Sequence, residues 1–185
     1  MLGPDLGLFS NAWYSPGRGL LVQLSWFFVN NLIMRNPLLP SSAMRVAALR
    51  LFGANVQEGV VIKPGVRVKY PWRLSVGRNA WIGEDVWIDN LAQVILGANA
   101  CLSQSSYLCT GNHDWSDPTF ALTTKPITIG TGAWVGARVV ICPGIILHDR
   151  AVATAGSVVT RSIPQDEIHA GNPAKYVKHR NISTA

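Results

Sequence analysis

Residues 129–163 read IGTGAWVGARVVICPGIILHDRAVATAGSVVTRSI, and an apolar residue returns in this stretch at every sixth position. The repeated positions are Ile129, Val135, Ile141, Leu147, Ala153 and Val159. Four places after each of them the residue is again apolar or small. Because 48% of the chain is apolar, six such hits in one phase arise by chance only about once in a hundred. The period of six therefore predicts short flat strands whose first residue points inward.

The same period governs residues 56–108, in three groups of three hexads. The groups begin at Val56, Val76 and Leu96, so that 20 rather than 18 residues separate their starts. Three hexads per turn are typical of a triangular parallel β-helix. The fifteen hexads of the chain predict about five turns. A glycine often follows the inward residue, as at Gly77 and Gly97, where a tight corner would crowd a Cβ atom.

Residues 1–55 lack this period and predict a helical cap on one end of the β-helix. The apolar run 20–34 indicates an amphipathic helix, and a second helix begins at Ser41 or Ser42 and stops at Gly53. The apolar run is short and carries polar side chains, whereas a membrane span needs about 20 apolar residues. A peripheral membrane contact of this helix stays open as an alternative.

The chain divides into three predicted regions. Residues 1–55 form the helical cap, residues 56–164 form the β-helix with an excursion loop at 111–128, and residues 165–185 form a C-terminal tail. The fold class we expect is mainly β, with an N-terminal α-helical segment.

Composition and charge narrow the range of partners and locations. The net charge of +6 favours anionic partners such as coenzyme phosphates, acidic glycans or a membrane surface. We expect no nucleic-acid partner. The three cysteines show no CxxC spacing and the sequence has no secretory signal, which predicts reduced thiols in a cytoplasmic protein, with the inner membrane surface as an alternative location.

Both two-residue additions and the long excursion leave the repeat at the same corner of the triangle. Asp89 and Asn90 therefore lie one turn below Cys109 and Thr110, and His113 begins the excursion above them. This constellation suits removal of a proton from a hydroxyl or an amine, because histidine side chains serve as general bases near neutral pH. A histidine in a loop is more often a plain surface residue, and this remains the alternative. The other three histidines lie in an outward position of the repeat or in the tail.

The sequence resembles the hexapeptide-repeat acyltransferases, and within them most closely the colanic acid biosynthesis acetyltransferase (WcaF-like) group of exopolysaccharide O-acetyltransferases. The resemblance rests on the hexads and on the stretches TGNHDWSDP (110–118), GAWVGARVVICPGI (132–145), AGSVVT (155–160) and AGNPAK (170–175). It implies a left-handed β-helix, homotrimers with active sites between subunits, and acetyl-CoA as donor. It further implies direct transfer to a small-molecule or lipid-linked sugar hydroxyl without an acyl-enzyme, and no metal.

The resemblance also implies roles for individual residues. His113 matches the catalytic base, and the acceptor-binding residues are Asp89, Asn90, Asp114 and Trp115. The residues matching contacts to the coenzyme are Trp134, Gly136, Ala137, Ala155, Gly156, Thr160, Arg161 and Lys175. Each has a structural alternative: glycine corners are needed by the fold, Asp114 suits a loop turn, and single cations are common on surfaces.

A run of cations without an acid is peculiar to this sequence. It comprises Lys63, Arg67, Lys69, Arg73 and Arg78. The run predicts either a solvated face or a contact with an anionic acceptor or membrane.

Three other functions use the same repeat. One is an N-acyltransferase acting on the amino group of a nucleotide sugar, which would need the same base. Another is a non-catalytic scaffold, for which His113 would be dispensable. The third, a zinc-dependent γ-type carbonic anhydrase, needs three histidines on adjacent faces, and only His113 lies near the corner.

Overall fold

In a computed structural model that describes residues 3–182, the six-residue repeat folds into a parallel β-helix of triangular cross-section. Each turn gives one short strand to each of three sheets, and strands of successive turns pair in parallel, in register. Five complete turns are followed by a partial sixth. The predicted fold class, a mainly β parallel β-helix preceded by helices, is confirmed.

The strands follow one another around the triangle. The first three turns contain β1 (Asn55–Val56), β2 (Val61–Ile62), β3 (Arg67–Val68), β4 (Leu74–Val76), β5 (Trp81–Ile82), β6 (Trp87–Asp89), β7 (Val94–Leu96), β8 (Cys101–Leu102) and β9 (Tyr107–Cys109). An antiparallel hairpin follows, made of β10 (Gly111–His113) and β11 (Leu122–Thr124). The later strands are β12 (Ile127–Ile129), β13 (Trp134–Val135), β14 (Val140–Ile141), β15 (Ile146–Leu147), β16 (Val152–Ala153), β17 (Val158–Val159), β18 (Glu167–Ala170) and β19 (Lys175–His179).

Three faces result from this order. The first face contains β1, β4, β7, β12 and β15, and the third contains β3, β6, β9, β14 and β17. The second face contains β2, β5, β8, β13, β16 and β18, and β19 folds back antiparallel on β18 at its edge.

The core is a stack of the residues that begin each hexad. On the second face these are Ile62, Ile82, Leu102, Val135 and Ala153, which pair in register from turn to turn and are all buried. Burying such apolar side chains is the main favourable contribution to the stability of the fold. The six-residue apolar period is thus the sequence pattern of the core itself.

The corners after the inward residues leave no room for a side chain. A Cβ atom on Gly77 would lie 2.5 Å from the backbone nitrogen of Ala98, and one on Gly97 would lie 2.6 Å from the backbone nitrogen of Thr131. Both contacts are with backbone, which cannot move aside. The prediction that these corners need glycine is confirmed.

The N-terminal cap consists of two helices that pack on the first turn. Helix α1 (Leu20–Val29) continues as a π-helical turn (Asn30–Met34), and α2 (Ser42–Leu51) follows. Two 3-10 turns, Leu6–Leu8 and Pro71–Arg73, complete the described helices. The indole nitrogen of Trp26 donates to the carbonyl of Val68 at 2.8 Å, which fixes α1 to β3.

A buried arginine organises the connection between the two helices. The Arg45 side chain is fully buried and donates to the carbonyls of Met34 and Ser41 at 3.2 and 3.1 Å. It also donates to the carbonyls of Asn36 and Leu39. These four acceptors run from the end of the π-helical turn to the residue before α2, so the guanidinium holds the connection between the two helices together.

No helix within residues 3–182 is both long enough and apolar enough to cross a bilayer.

Candidate active site

The excursion leaves the β-helix at the corner between the third and the first face. The excursion does not interrupt the strand pairing of the first face, because β12 pairs directly with β7 through Ile127 and Val94. The hairpin β10–β11 projects from this corner, and His113 lies opposite Leu122 in it. The sequence prediction that the repeat opens at this one corner is therefore confirmed.

The His113 ring is held on two sides. Its Nδ1 atom lies 2.8 Å from the carbonyl oxygen of Phe120, and the ring stacks on the Phe120 ring at a centroid distance of 4.4 Å and an angle of 5°. A carbonyl oxygen only accepts, so Nδ1 carries the hydrogen and donates it. In the neutral ring this leaves the lone pair on Nε2 free to accept a proton.

A second wall beside His113 comes from residues 5–16, which we call the N-terminal segment. Its backbone reaches the excursion, where the amide of Asp5 donates to the carbonyl of Pro118 at 2.8 Å. The Phe9 ring lies 5.6 Å from the His113 ring between centroids. The N-terminal segment thus contributes a second aromatic ring, besides that of Phe120, to the surroundings of the histidine.

Arg73 fixes the far end of the N-terminal segment. Its guanidinium donates to the Tyr14 hydroxyl at 2.6 Å and to the carbonyls of Leu91 and Ser15. The Tyr14 hydroxyl donates in turn to the carbonyl of Leu91 at 2.9 Å. Burial raises the pKa of the Tyr14 phenol to about 12, so the hydroxyl stays protonated and keeps donating.

These elements enclose a groove of about 500 Å³, which we call the His113 groove. Its lining consists of Phe9, Asn11, Tyr14, Pro16, Lys69, Tyr70, Leu91, His113 and Leu122. It offers an imidazole, an ammonium group and two phenols beside apolar surface, a composition suited to a small polar ligand. Of this lining, sequence reasoning identified His113 as a site residue and Lys69 as part of the cationic run, with contact to an anionic acceptor as one of its two interpretations.

The two residues predicted at the acceptor edge, Asp89 and Asn90, have different roles. The Asp89 carboxylate lies 3.3 Å from the Lys69 ammonium and accepts from the Tyr107 hydroxyl at 3.3 Å. Asp89 belongs to a neighbouring groove rather than to the lining of the His113 groove.

Asn90 departs from its predicted role in binding the acceptor. Its side chain is fully buried, and its amide nitrogen donates to the carbonyls of Tyr70 and Arg73 at 2.6 and 3.0 Å. Its oxygen accepts from the amide of Tyr70 at 2.9 Å. Asn90 therefore shapes the corner from inside and presents no surface to a ligand.

Asp114 and Trp115 lie in the loop beyond His113. Both are exposed, and neither lines the His113 groove. The Asp114 carboxylate accepts from the amide and hydroxyl of Ser116, and these hydrogen bonds hold the pKa of Asp114 below its usual range. Within one chain Asp114 acts as a turn residue, which is the structural alternative that the sequence offered.

Of the residues predicted to contact the coenzyme arm, Trp134, Ala155 and Gly156 are exposed and Ala137 is partly exposed, whereas Gly136 is buried against the backbone of the next turn. The amide of Gly156 donates to the carbonyl of Ala137 at 2.8 Å, which stacks the two corners. Among residues 3–182, no protein acceptor is found for the backbone N–H of Ala137 or Ala155. Trp134 is half-exposed beside them and donates to the Ser103 hydroxyl at 2.8 Å.

The three polar residues predicted at the nucleotide end lie further along the same turns. Thr160 and Arg161 follow β17 and are exposed. Lys175 begins β19, and the amide of its neighbour Ala174 donates to the carbonyl of Val158 at 2.8 Å. The three side chains therefore belong to the same end of the molecule, beyond the stacked corners.

The stacked corners and His113 occupy different corners of the triangle, whereas Thr160 and Arg161 lie between the third and first faces, as His113 does. His113 lies at the corner between the third and first faces, whereas Gly136, Ala137, Ala155 and Gly156 lie between the second and third faces. One chain therefore does not bring its own His113 groove and its own stacked corners together.

The cationic run does not form a single patch. The Arg67 guanidinium lies 4.8 Å from the centre of the Trp87 ring, Lys69 pairs with Asp89, and Arg73 holds the N-terminal segment. In the described part of the chain, no three His, Cys, Asp or Glu side chains are grouped as ligands for a metal ion.

Comparisons with known proteins agree with the fold and the repeat. The sequence model of a family described as hexapeptide repeat of succinyl-transferase matches residues 126–161. The chain is 38% identical over 164 residues to WcaF of Escherichia coli K12, described as a colanic acid biosynthesis acetyltransferase, and this match covers 89% of the chain and 90% of WcaF.

Solved structures agree as well. A maltose O-acetyltransferase from Clostridium difficile 630 has a TM-score of 0.75 and 26% identity, over 89% of this chain and 90% of that one. A galactoside acetyltransferase in complex with coenzyme A has a TM-score of 0.76 and 26% identity, over 87% of this chain and 82% of that one.

The chain therefore belongs to the hexapeptide-repeat acyltransferase family. Within that family it is similar to the WcaF acetyltransferase group. The predictions of an enzyme and of this family are both confirmed, and the scaffold alternative falls away.

Proposed function

We propose that the protein moves an acetyl group from acetyl-CoA to a hydroxyl of a sugar in an exopolysaccharide precursor similar to that of colanic acid, with His113 as general base. The hydrogen bond from Nδ1 of His113 to the Phe120 carbonyl carries this proposal, because it leaves Nε2 free to accept a proton beside the His113 groove. The names of the relatives support the acetyl group and the sugar acceptor.

The reaction is a direct transfer. Nε2 of His113 removes the proton of the acceptor hydroxyl while the oxygen forms a bond to the acetyl carbon. The bond from that carbon to sulfur breaks, and the sulfur leaves as a thiolate that takes up the proton from the imidazole. The Phe120 carbonyl stabilises the imidazolium that exists in between, since it accepts from the opposite nitrogen.

The stacked corners fit the coenzyme arm. The N–H groups of Ala137 and Ala155 are free to donate to its amide carbonyls, and the small side chains leave room for close approach. Thr160, Arg161 and Lys175 are exposed further along and suit the phosphates of the nucleotide end. Trp134 offers an apolar ring beside the arm.

The separation of the two corners supports a homotrimer with its active sites between subunits. The His113 groove of one chain would face the stacked corners of the next, and Asp114 and Trp115 would then approach the neighbour rather than their own groove. Trp81, on the second face with Trp134, is 54% exposed, and such aromatic side chains are enriched in subunit interfaces.

The test is the substitution His113→Ala. We expect turnover to fall by a factor of order 10² or more, while the Kd of acetyl-CoA measured by calorimetry stays unchanged. Turnover is followed as release of free thiol from acetyl-CoA with galactosides and exopolysaccharide fragments as acceptors. The matched control is His148→Ala, since His148 is exposed in an outward position of the repeat.

Two outcomes contradict the proposal. If His113→Ala keeps the turnover of the His148→Ala control, another group is the base. If the wild type does not bind acetyl-CoA, the stacked corners are not a donor site.

A further inference from the structure

Helix α1 is apolar on the face that it turns away from the protein. Its inward side packs through Trp26, Val29, Ile33 and Met34. The outer side, which we call the α1 outer face, consists of Leu20, Leu21, Leu24, Phe27, Phe28 and Leu32. Leu20, Leu24, Phe28 and Leu32 are four positions apart, and Leu21 and Phe27 are three positions from Leu24, so the six lie along one side of α1 and of the π-helical turn that continues it. In a water-exposed helix this side would normally be polar.

The α1 outer face is large and open. Leu21, Phe27, Phe28 and Leu32 are 81%, 61%, 60% and 65% exposed. Leu51 at the end of α2 is 82% exposed and lines a groove together with Leu21, which extends the apolar surface to the second helix. Contiguous apolar surface of this kind marks an interaction site for a protein or a membrane.

The charges of the segment that carries this surface have one sign. Residues 6–57 contain no aspartate or glutamate, and they contain four arginines. Arg45 is buried, whereas Arg18 before α1, Arg35 after the π-helical turn and Arg50 in α2 are exposed. Asp89 lines the groove next to Phe27 but is paired with Lys69. An apolar helical face whose own segment carries only cations has the character of a helix lying in the interface of an anionic bilayer.

The groove beside the α1 outer face adjoins the His113 groove. A groove of about 340 Å³ runs beside α1, lined by Phe27 of the α1 outer face as well as by Lys69 and Tyr70. Lys69 and Tyr70 also line the His113 groove. A second protein chain on the α1 outer face would cover the groove beside α1, whereas a bilayer would bring a membrane-held acceptor to it.

We propose that the α1 outer face docks on a lipid bilayer with anionic headgroups and that the acceptor reaches His113 from the membrane surface. The route of the acceptor rests on the function proposed above. Docking itself does not depend on that function, because it needs neither donor nor catalysis.

The experiment is co-sedimentation with vesicles of phosphatidylcholine alone and of phosphatidylcholine with phosphatidylglycerol. We expect the wild type to sediment with the anionic vesicles, and binding to weaken when the salt concentration is raised. The double substitution Phe27→Ser and Phe28→Ser should lower the partition coefficient by about tenfold or more. The matched control is Val177→Ser with Ile182→Ser, which removes apolar groups that are 54% and 58% exposed at the opposite end of the chain.

Three results would overturn the proposal. One is a wild type that binds neither kind of vesicle. Another is a control that loses as much binding as the phenylalanine variant. The third is a change of oligomeric state in the phenylalanine variant by sedimentation velocity, which would make the α1 outer face a contact between copies of this chain. Calorimetry with acetyl-CoA is unaffected by any of these results, so it tests the proposed function separately.

Discussion

The polar side chain of Asn90, at the corner from which the excursion leaves, holds the neighbouring backbone in place. All of its side-chain hydrogen bonds go to the main chain of Tyr70 and Arg73, and both of these residues touch the His113 groove or hold its wall. Its position next to Asp89 was evident from the repeat, but the direction of its side chain was not. The six-residue period does not distinguish an asparagine at position 90 that points into the corner from one that points outward.

Removing the Asn90 side chain should cost stability. Asn90→Ala leaves the amide of Tyr70 and the carbonyl of Arg73 without their partner, while the carbonyl of Tyr70 still accepts from the amide of Arg73. We therefore expect the free energy of unfolding to fall by about 2 kcal/mol. Urea denaturation measures the change. Asn181→Ala removes the same group from an exposed position and should change the free energy by less than about 0.5 kcal/mol. Equal losses in the two variants would show that the hydrogen bonds of Asn90 contribute nothing.

At the scale of elements, the N-terminal segment is the part of the site that the sequence concealed. Phe9 and Tyr14 carry no period that links them to the repeat, and the residues that they contact across the groove, Arg73, Leu91 and His113, are 59 positions away or more. The excursion could be placed because the hexads on both sides of it fix its corner. The segment that closes over it depends on tertiary contacts that no local pattern encodes.

Arg73 should control how well the N-terminal segment binds the acceptor. In Arg73→Met the hydrogen bonds to Tyr14, Leu91 and Ser15 are lost, and the wall of the His113 groove loosens. We expect the KM of the acceptor to rise about tenfold, with the Kd of acetyl-CoA unchanged. Steady-state kinetics and calorimetry measure the two quantities.

Arg78→Met is the matched control for Arg73→Met. Arg78 belongs to the same cationic run but is exposed and lies outside the His113 groove. Its substitution should leave the KM of the acceptor unchanged. If Arg73→Met and Arg78→Met raise the KM of the acceptor equally, the net charge of the cationic run determines acceptor binding. The hydrogen bonds that hold the N-terminal segment then do not.

At the scale of the whole molecule, the β-helix was the most predictable part of the protein. Each hexad has an apolar or small residue at its inward position. One such residue predicts little, but its repetition over many hexads predicts the fold strongly. Ile62, Ile82 and Leu102 then lie where the period placed them. The stacked corners and the corner at which the excursion begins belong to this periodic part, and their separation around the triangle follows from counting.

That separation predicts complementation between two inactive variants. We expect His113→Ala and Ala155→Trp each to be inactive, the first lacking the base and the second filling the stacked corner. Co-expressed, they should form mixed trimers in which some sites join an intact groove to an intact corner. Random assembly of equal amounts should restore about a quarter of the wild-type activity. A mixture that stays inactive would place both halves of each site on a single subunit.

The direct pairing of β7 with β12 has a consequence for how such proteins diversify. The parallel strand pairing of the first face continues from β7 to β12 as if no insertion were present. The hairpin therefore projects from a β-helix that is complete without it. Its length and its tip can change over evolutionary time without altering the stack of inward residues. A change confined to the hairpin can then alter which acceptor fits, while the β-helix and its stacked corners stay unchanged.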